Sequence, residues 1–329
     1  MKYQFEECLD SKYWDKFVSK SPQNNIFCYS KFLDASHNNF KTYFVKKNGN
    51  IMLGCILIIA KDSKNCITPF MYQSLLFDEY IANLPNHRSS KIIIDSIEFL
   101  LSNLENYYNN LAFSLHYTIN DIRAFQWFNY HSTNKPKFIV KPRYTGILKF
   151  DDDDNFDSLL KKSRKVRVQE YHKSVKKGFK VSISNDINIL DDLHDEAFSR
   201  QGLKRTNGEK LLVSKISKIA IEEGFGRLMV CSTNLGEPVS AAMFLLDDNR
   251  GYYLVGATNS EYRNYGVGSF VMFEQIRKCF DDGLKEIDFI GINSPQRGDF
   301  KTSFNAKSEL YFELHYSCLL YTSPSPRDS

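Results

Sequence analysis

A chain of 329 residues with 42% hydrophobic, 14% aromatic and 25% charged residues has an ordinary globular composition and the length of about two domains, each able to bury a core. Disordered, collagenous and coiled-coil chains are excluded. The 43 Lys and Arg against 39 Asp and Glu leave a net charge of +4, too mild to mark a nucleic-acid binder, so any anionic partner has to be read from local sequence.

In chain order, the first pattern is a pair of β-rich stretches, Phe40 to Lys47 and Ile51 to Ala60, joined by Asn48-Gly49, which predicts a hairpin. Ile92, Ile93, Ile97, Leu100, Leu101 and Leu104 recur at helical spacing and predict a helix over 89–104, followed by a short strand within 110–119. A Pro-bearing basic stretch, Lys135-Pro136 to Arg143, places a domain junction near residue 142. The expected domains are therefore 1–142 and 143–317. The second opens with a strand over 144–150 and one continuous helix over 155–177, whose apolar face carries Phe156, Leu159, Leu160, Val166, Tyr171 and Val175. A strand over 179–183, helices over 189–200 and 209–223, and strands over 227–232, 238–246 and 251–257 come next. A helix over 268–281, stopped by Gly283, and a buried strand over 286–290 complete the pattern. Both halves run hairpin, helix, strand, an α/β (α+β) order.

The seven cysteines form no C-x-x-C pair and lie scattered in apolar stretches, so neither a disulfide framework nor a zinc site is expected, and a reducing cytoplasm is the simplest location. The start lacks the apolar core of a signal peptide, and the longest apolar run, Ile51 to Ala60, is far shorter than the ~20 residues of a membrane span. At the other end, residues 318–329 back-translate to a string that resembles a transposon-based sequencing-library adapter read in frame. They are set aside as an artefact in reading the fold.

The segment with the clearest chemistry is Arg263-Asn264-Tyr265-Gly266-Val267-Gly268-Ser269, an R-x-x-G-x-G sequence between a predicted strand and a predicted helix. Glycines let backbone N–H groups close on an anion, the helix start adds unpaired donors and a positive dipole end, and Arg263 adds a permanent charge. A phosphate is the natural ligand. A second candidate is Asp288, an acid in an otherwise apolar strand, where burial is expected to raise its pKa and suit it to accept a proton. Lys301, between Phe300 and Phe304, could neutralise a donor or acceptor phosphate. Nine Lys and Arg within 161–180, Arg164 and Arg167 among them, face the single acid Glu170 and could grip tRNA, a nucleotide-sugar diphosphate or an anionic membrane surface. Arg200 and Arg205 flank Gln201-Gly202-Leu203.

With this loop in this context the chain resembles the GNAT acyltransferases, and more closely their two-domain relatives, the FemAB-like aminoacyltransferases. The supporting stretches are Trp14 to Val18 with Ile26-Phe27, Pro69 to Gln73, Pro238 to Ala242, Tyr252 to Ala257, and Asp288 to Gly291 leading to Phe300 to Phe304. The resemblance implies tandem GNAT-like domains, each a mixed, largely antiparallel sheet flanked by helices. It also implies direct attack of an amine or hydroxyl on an acyl carbonyl in a ternary complex, without a covalent nucleophile. By the same resemblance Val255, Gly256 and Ala257 end a splayed strand facing the carbonyl, Tyr265 to Ser269 hold donor phosphate, and Arg200 and Arg205 face the acceptor groove. The expected function is a bacterial acyltransferase acting on a cell-wall, polysaccharide or small-molecule acceptor, with acetyl-CoA or another acyl-CoA as favoured donor and no metal. The alternatives are an aminoacyl-tRNA-dependent peptidoglycan bridge enzyme and a non-catalytic anion- or RNA-binding module. Peripheral membrane association is compatible with either enzyme.

Overall fold

The computed structural model describes residues 2–61, 64–199 and 206–317, so Arg200, Arg205 and the adapter-like tail lie outside the described residues. The chain divides into two compact units, one running to Arg143 and taking up the chain again from Leu310, the other spanning Tyr144–Glu309.

In the first unit, strand β1 (Tyr3–Glu7) is followed by helices α1 (Ser11–Lys20) and α2 (Ser30–Ser36), strands β2 (Phe40–Lys47), β3 (Asn50–Ile58) and β4 (Leu75–Phe77), helices α3 (Glu79–Ala82) and α4 (Asn86–Leu104), strand β5 (Asn110–Ser114) and helix α5 (Arg123–Trp127). The sheet order is β1-β2-β3-β4, all antiparallel. Asn48 and Gly49, at φ 51° and 87°, make the tight turn of the expected hairpin. Strand β3 is apolar from Ile51 onward because both faces are covered: Ile56 and Ile58 pack with Trp14, Phe17 and Val18 of α1, whereas Leu53, Cys55 and Leu57 pack with Ile97, Leu100 and Leu104 of α4. The C-terminal strand β12 (Lys307–Ser317) pairs antiparallel with β5.

The second unit takes its first strand from the end of β6 (Ile139–Lys149). It continues through helices α6 (Phe156–Lys162) and α7 (Lys165–Lys176), strand β7 (Lys180–Ser184), helices α8 (Ile187–Ser199) and α9 (Asn207–Glu222), and strands β8 (Gly226–Ser232), β9 (Pro238–Leu246) and β10 (Arg250–Thr258). Helix α10 (Val267–Asp281), strand β11 (Glu286–Asp288) and helix α11 (Pro295–Thr302) follow. The order is β6-β11-β10-β9-β8-β7, with β10 and β11 parallel and all other neighbours antiparallel. The single helix expected over 155–177 is two. Ser163 is extended, the Arg164 N–H donates to the Ser303 carbonyl at 2.8 Å, and the Arg164 guanidinium grips Asp299 of α11 in two bonds of 2.8 and 2.9 Å. Bonds to a distant segment thus replace intrahelical ones and re-aim α7, which lays Tyr171 against Phe270 and Phe273 of α10. None of the described helices is long and apolar enough to cross a membrane.

Candidate active site

The parallel pairing of β10 with β11 covers Arg250 to Tyr252 against Glu286 to Asp288 and then stops, while β10 runs on to Thr258 along β9. Two features open this wedge. A bulge between Tyr253 and Val255 adds Leu254 to β10 and turns the strand. On the other side, Ile290 and Gly291 take φ of 48° and 55°, carrying the chain away from the sheet. Left-handed backbone is rare for a β-branched residue and costs of order 1–3 kcal/mol, so the surrounding contacts must hold it.

They do so through Asp288 and Lys301. The Asp288 carboxylate, 1% exposed, accepts from the Thr145 hydroxyl at 2.5 Å and from the Ile290 N–H at 2.8 Å, bracing the turn from below. The carbonyls of Ile290 and Gly291 point at Lys301 of α11, whose ammonium donates to both, the second at 3.0 Å. That ammonium also lies 5.4 Å from the Tyr253 ring centroid. Burial pulls the Lys301 pKa down to about 8, with the Asp288 charge opposing the shift. Burial likewise pushes the Tyr253 phenol up to about 12, so it is a neutral donor at pH 7, and its hydroxyl sits 2.5 Å from where a Cβ on Gly256 would project. Gly256 is thus the residue that admits Tyr253 to the wedge.

The R-x-x-G-x-G segment lies at the end of β10. Arg263 and Tyr265 sit on a 3₁₀ turn, Gly266 is the left-handed residue (φ 81°) before α10, and Val267 is buried beneath the helix start. The two glycines have different reasons. A Cβ on Gly266 would fall 2.5–2.7 Å from the side chain and backbone of Glu170, so this glycine lets α7 and α10 meet. A Cβ on Gly268 would meet only the Thr258 hydroxyl, at 3.0 Å, leaving the helix start open on that side for an anion. Ser269 is buried; its hydroxyl donates to Glu170 at 2.5 Å and takes a bond from Arg167 at 3.1 Å.

The two arginines singled out on the basic segment therefore have acidic partners within the fold. Arg164 is paired with Asp299, and Arg167 is paired with Glu170 at 2.7 Å and stacked 5.2 Å from the Phe300 centroid. Exposed lysines, among them Lys161, Lys165 and Lys176, form the outer face of α6 and α7. Asp288, Lys301 and Gly256 come together at the wedge; Gly268 and Arg263 come together at the loop. Val255 is half-buried within the wedge strand, and the carbonyl of buried Ala257 accepts from the Ser240 hydroxyl at 3.0 Å. Tyr253 and the Ile290-Gly291 turn are additions to the set read from sequence. Nothing in the residue string marks a left-handed isoleucine, and Tyr253 reads as one more strand aromatic.

The bracing role of Asp288 makes a specific expectation. Asp288→Asn keeps an acceptor for Thr145 and Ile290, whereas Asp288→Ala loses both bonds and leaves buried donors unsatisfied, at about 1–3 kcal/mol. Thermal unfolding is expected to show Asn near wild type and Ala clearly destabilised. If Asn retains the melting temperature yet abolishes turnover, the carboxylate acts chemically and not only as a brace.

Residues 162–302 match the model of the family described as acetyltransferase (GNAT) domain. No curated protein matches the sequence. Among solved structures, FemX aligns at a TM-score of 0.67 and 13% identity over 95% of this chain and 97% of its own. A conserved protein of unknown function from Bacteroides thetaiotaomicron VPI-5482 aligns at 0.60 and 10% identity over 96% and 100%. A tandem GNAT protein from the clavulanic acid biosynthesis pathway aligns at 0.51 and 8% identity over 98% and 100%. The second unit carries a GNAT acetyltransferase domain, and the chain as a whole shares its two-domain fold with FemX and with the tandem GNAT protein. The protein is an acyltransferase.

Proposed function

We propose that this acyltransferase moves an acyl group, acetyl from acetyl-CoA being favoured, to an amine or hydroxyl of a cell-wall, polysaccharide or small-molecule acceptor in the bacterial cytoplasm, and that the second unit, Tyr144–Glu309 rather than the 143–317 expected from sequence, is the transferase domain. The observation that carries the reading is the open side of Gly268, a cradle that a Cβ would narrow, at the end of a strand whose free edge starts at the β10/β11 wedge. A donor with a diphosphate at one end and a thioester at the other fits that alignment. Backbone donors of the α10 start and Arg263 bind the phosphates.

In this reading the acceptor nitrogen or oxygen bonds to the acyl carbon while the bond to the donor sulfur breaks, and the proton that the acceptor gives up ends on the departing thiolate. Lys301, held as an ammonium by the Ile290 and Gly291 carbonyls, supplies positive charge where oxyanion or thiolate charge develops. Tyr253, neutral at pH 7, offers a hydroxyl in the same wedge, and Asp288 holds the turn that aims both carbonyls. Water exclusion and alignment supply the rest.

Direct transfer also agrees with the thiols. Burial pushes Cys28, Cys66 and Cys231 up to about 12 and Cys279 to about 11, far from nucleophilic thiolates at pH 7. Intact-mass measurement with acetyl-CoA alone is expected to show an unmodified chain, and free coenzyme thiol is expected to accumulate only when an amine acceptor is added. A stable, turnover-competent adduct of acetyl mass would overturn direct transfer. The second reading, an aminoacyl-tRNA donor, is favoured by the exposed lysines of α6 and α7. Acceptor modification that requires charged tRNA and ignores acetyl-CoA would establish it in place of the first.

A further inference from the structure

Within the second unit, one ring stands at the inner side of the wedge between β10 and β11. Tyr253 packs on Phe244 and Phe289 at centroid distances of 5.6 and 6.4 Å, and both phenylalanines are fully buried, whereas Tyr253 keeps part of its surface accessible. The ring thus has a wall behind it and an open side in front. Its tip is fixed as well, because a Cβ on Gly256 would fall 2.5 Å from the phenol oxygen and 3.1 Å from Cε2, which places the phenol directly over that glycine. Swinging the ring aside would displace close-packed core aromatics, so Tyr253 is a fixed stop and not a movable flap.

Bond geometry sets what fits in front of it. Three substituents surround an acyl carbon, and in the transfer described above two of them have fixed directions: the oxygen points to the Lys301 ammonium and the sulfur leads back to the phosphate loop. The acceptor approaches across their plane, which leaves the acyl chain the side of the Tyr253 ring. With the oxygen about 2.8 Å from the ammonium and a carbonyl bond of about 1.2 Å, the acyl carbon lies within about 4 Å of Lys301. Carbon atoms in contact stand about 3.5–4.0 Å apart. Since the ammonium is 5.4 Å from the ring centroid, the chain has space for about one or two carbons beyond the carbonyl before it meets Tyr253. A methyl group meets the apolar ring face without penalty.

We propose that Tyr253 determines acyl specificity: its ring closes the acyl end of the wedge and confines transfer to short acyl groups of about two or three carbons. The proposal rests on acyl transfer within the wedge, and it holds for either carrier, because the ring meets the acyl chain and not the coenzyme or the tRNA. The short group is acetyl or propionyl on coenzyme A, and glycyl or alanyl on tRNA.

The test is calorimetric titration of the full chain with acetyl-CoA and with hexanoyl-CoA, on wild type, Tyr253→Phe, Tyr253→Ala and Tyr253→Leu. Wild type is expected to bind hexanoyl-CoA at least about tenfold more weakly than acetyl-CoA, the scale on which a pocket discriminates by a methylene or more. Tyr253→Phe retains the ring and is expected to retain that ratio, whereas Tyr253→Ala removes the ring and is expected to bring the two affinities within about threefold of each other. Tyr253→Leu, which keeps more of the contact with Phe244 and Phe289, is expected to narrow the ratio and serves where Tyr253→Ala fails to fold. Equal affinities in wild type, or a ratio that neither Ala nor Leu changes, would overturn the proposal and leave the acyl-CoA reading standing. If neither thioester binds, the acyl-CoA reading fails, and one tRNA charged with alanine or with phenylalanine decides the proposal. Weaker binding of the phenylalanyl form that Tyr253→Ala or Tyr253→Leu relieves would support it; equal binding of the two forms, or binding of neither, would overturn it.

Discussion

Gly266→Val is expected to lower the melting temperature by about 6–20 °C, the largest stability effect of any single substitution in the R-x-x-G-x-G segment. Two costs add. The φ of 81° is left-handed, a region a β-branched residue avoids, and the first carbon added to the glycine falls 2.5–2.7 Å from Glu170, backbone included. Relief would require α7 to move off α10, which strips Tyr171 from Phe270 and Phe273 and separates Ser269 from Glu170 and Arg167. Disruptions of this kind, strain plus loss of a buried network, cost about 3–5 kcal/mol. Differential scanning fluorimetry checks it; a melting temperature within 2–3 °C of wild type would mean that the two helices part without penalty.

Lys301→Met is expected to lower kcat by about 10²–10³-fold, the scale of removing one preorganised charge or donor from a developing oxyanion, while leaving the chain folded. Methionine fills a similar volume but offers nothing to the Ile290 and Gly291 carbonyls. The pH profile carries the same information. With a pKa of about 8, Lys301 is roughly nine-tenths ammonium at pH 7 and loses its proton as pH rises through 8. If the charged form is the active one, kcat is flat below pH 7 and falls about tenfold per unit well above 8, and this limb is absent in Lys301→Met. A wild-type rate that instead rises through pH 8 would make the neutral amine the working form.

Much of the fold was legible because local signals agreed with tertiary structure. Asn48-Gly49 is a turn in isolation and in the protein, and α4 and α10 present apolar residues at helical spacing to their cores. The single helix over 155–177 fails for the opposite reason: its apolar periodicity runs unbroken through Ser163, and the break is made by Ser303 and Asp299, more than 130 residues away. Strand β12 escapes a period-2 reading because Tyr311, Leu314 and Tyr316 are its buried positions, an irregular spacing. Helix α11 carries a readable start in Ser294-Pro295 but little apolar periodicity.

At the site, residue type was legible and geometry was not. The loop pattern located two glycines together, yet only packing separates Gly266, which admits Glu170, from Gly268, which faces open space beside Thr258. Arg167 read as a cation that could grip an anionic partner and lies on Phe300 against Glu170. Asp288 and Lys301, 13 positions apart in sequence, meet because the Ile290-Gly291 turn folds α11 back over the end of β11, a conformation that no propensity of isoleucine foretells.

Titration of coenzyme A into wild type and Gly268→Val tests the donor site most directly. Wild type is expected to give a saturable isotherm with a Kd between about 1 μM and 1 mM, the range in which enzymes commonly hold their substrates. Gly268→Val, whose branched side chain occupies the open side of the α10 start, is expected to keep its fold and give no measurable heat. Coenzyme A binding as tight in Gly268→Val as in wild type, at an unchanged melting temperature, would contradict the assignment of the donor phosphates to this loop.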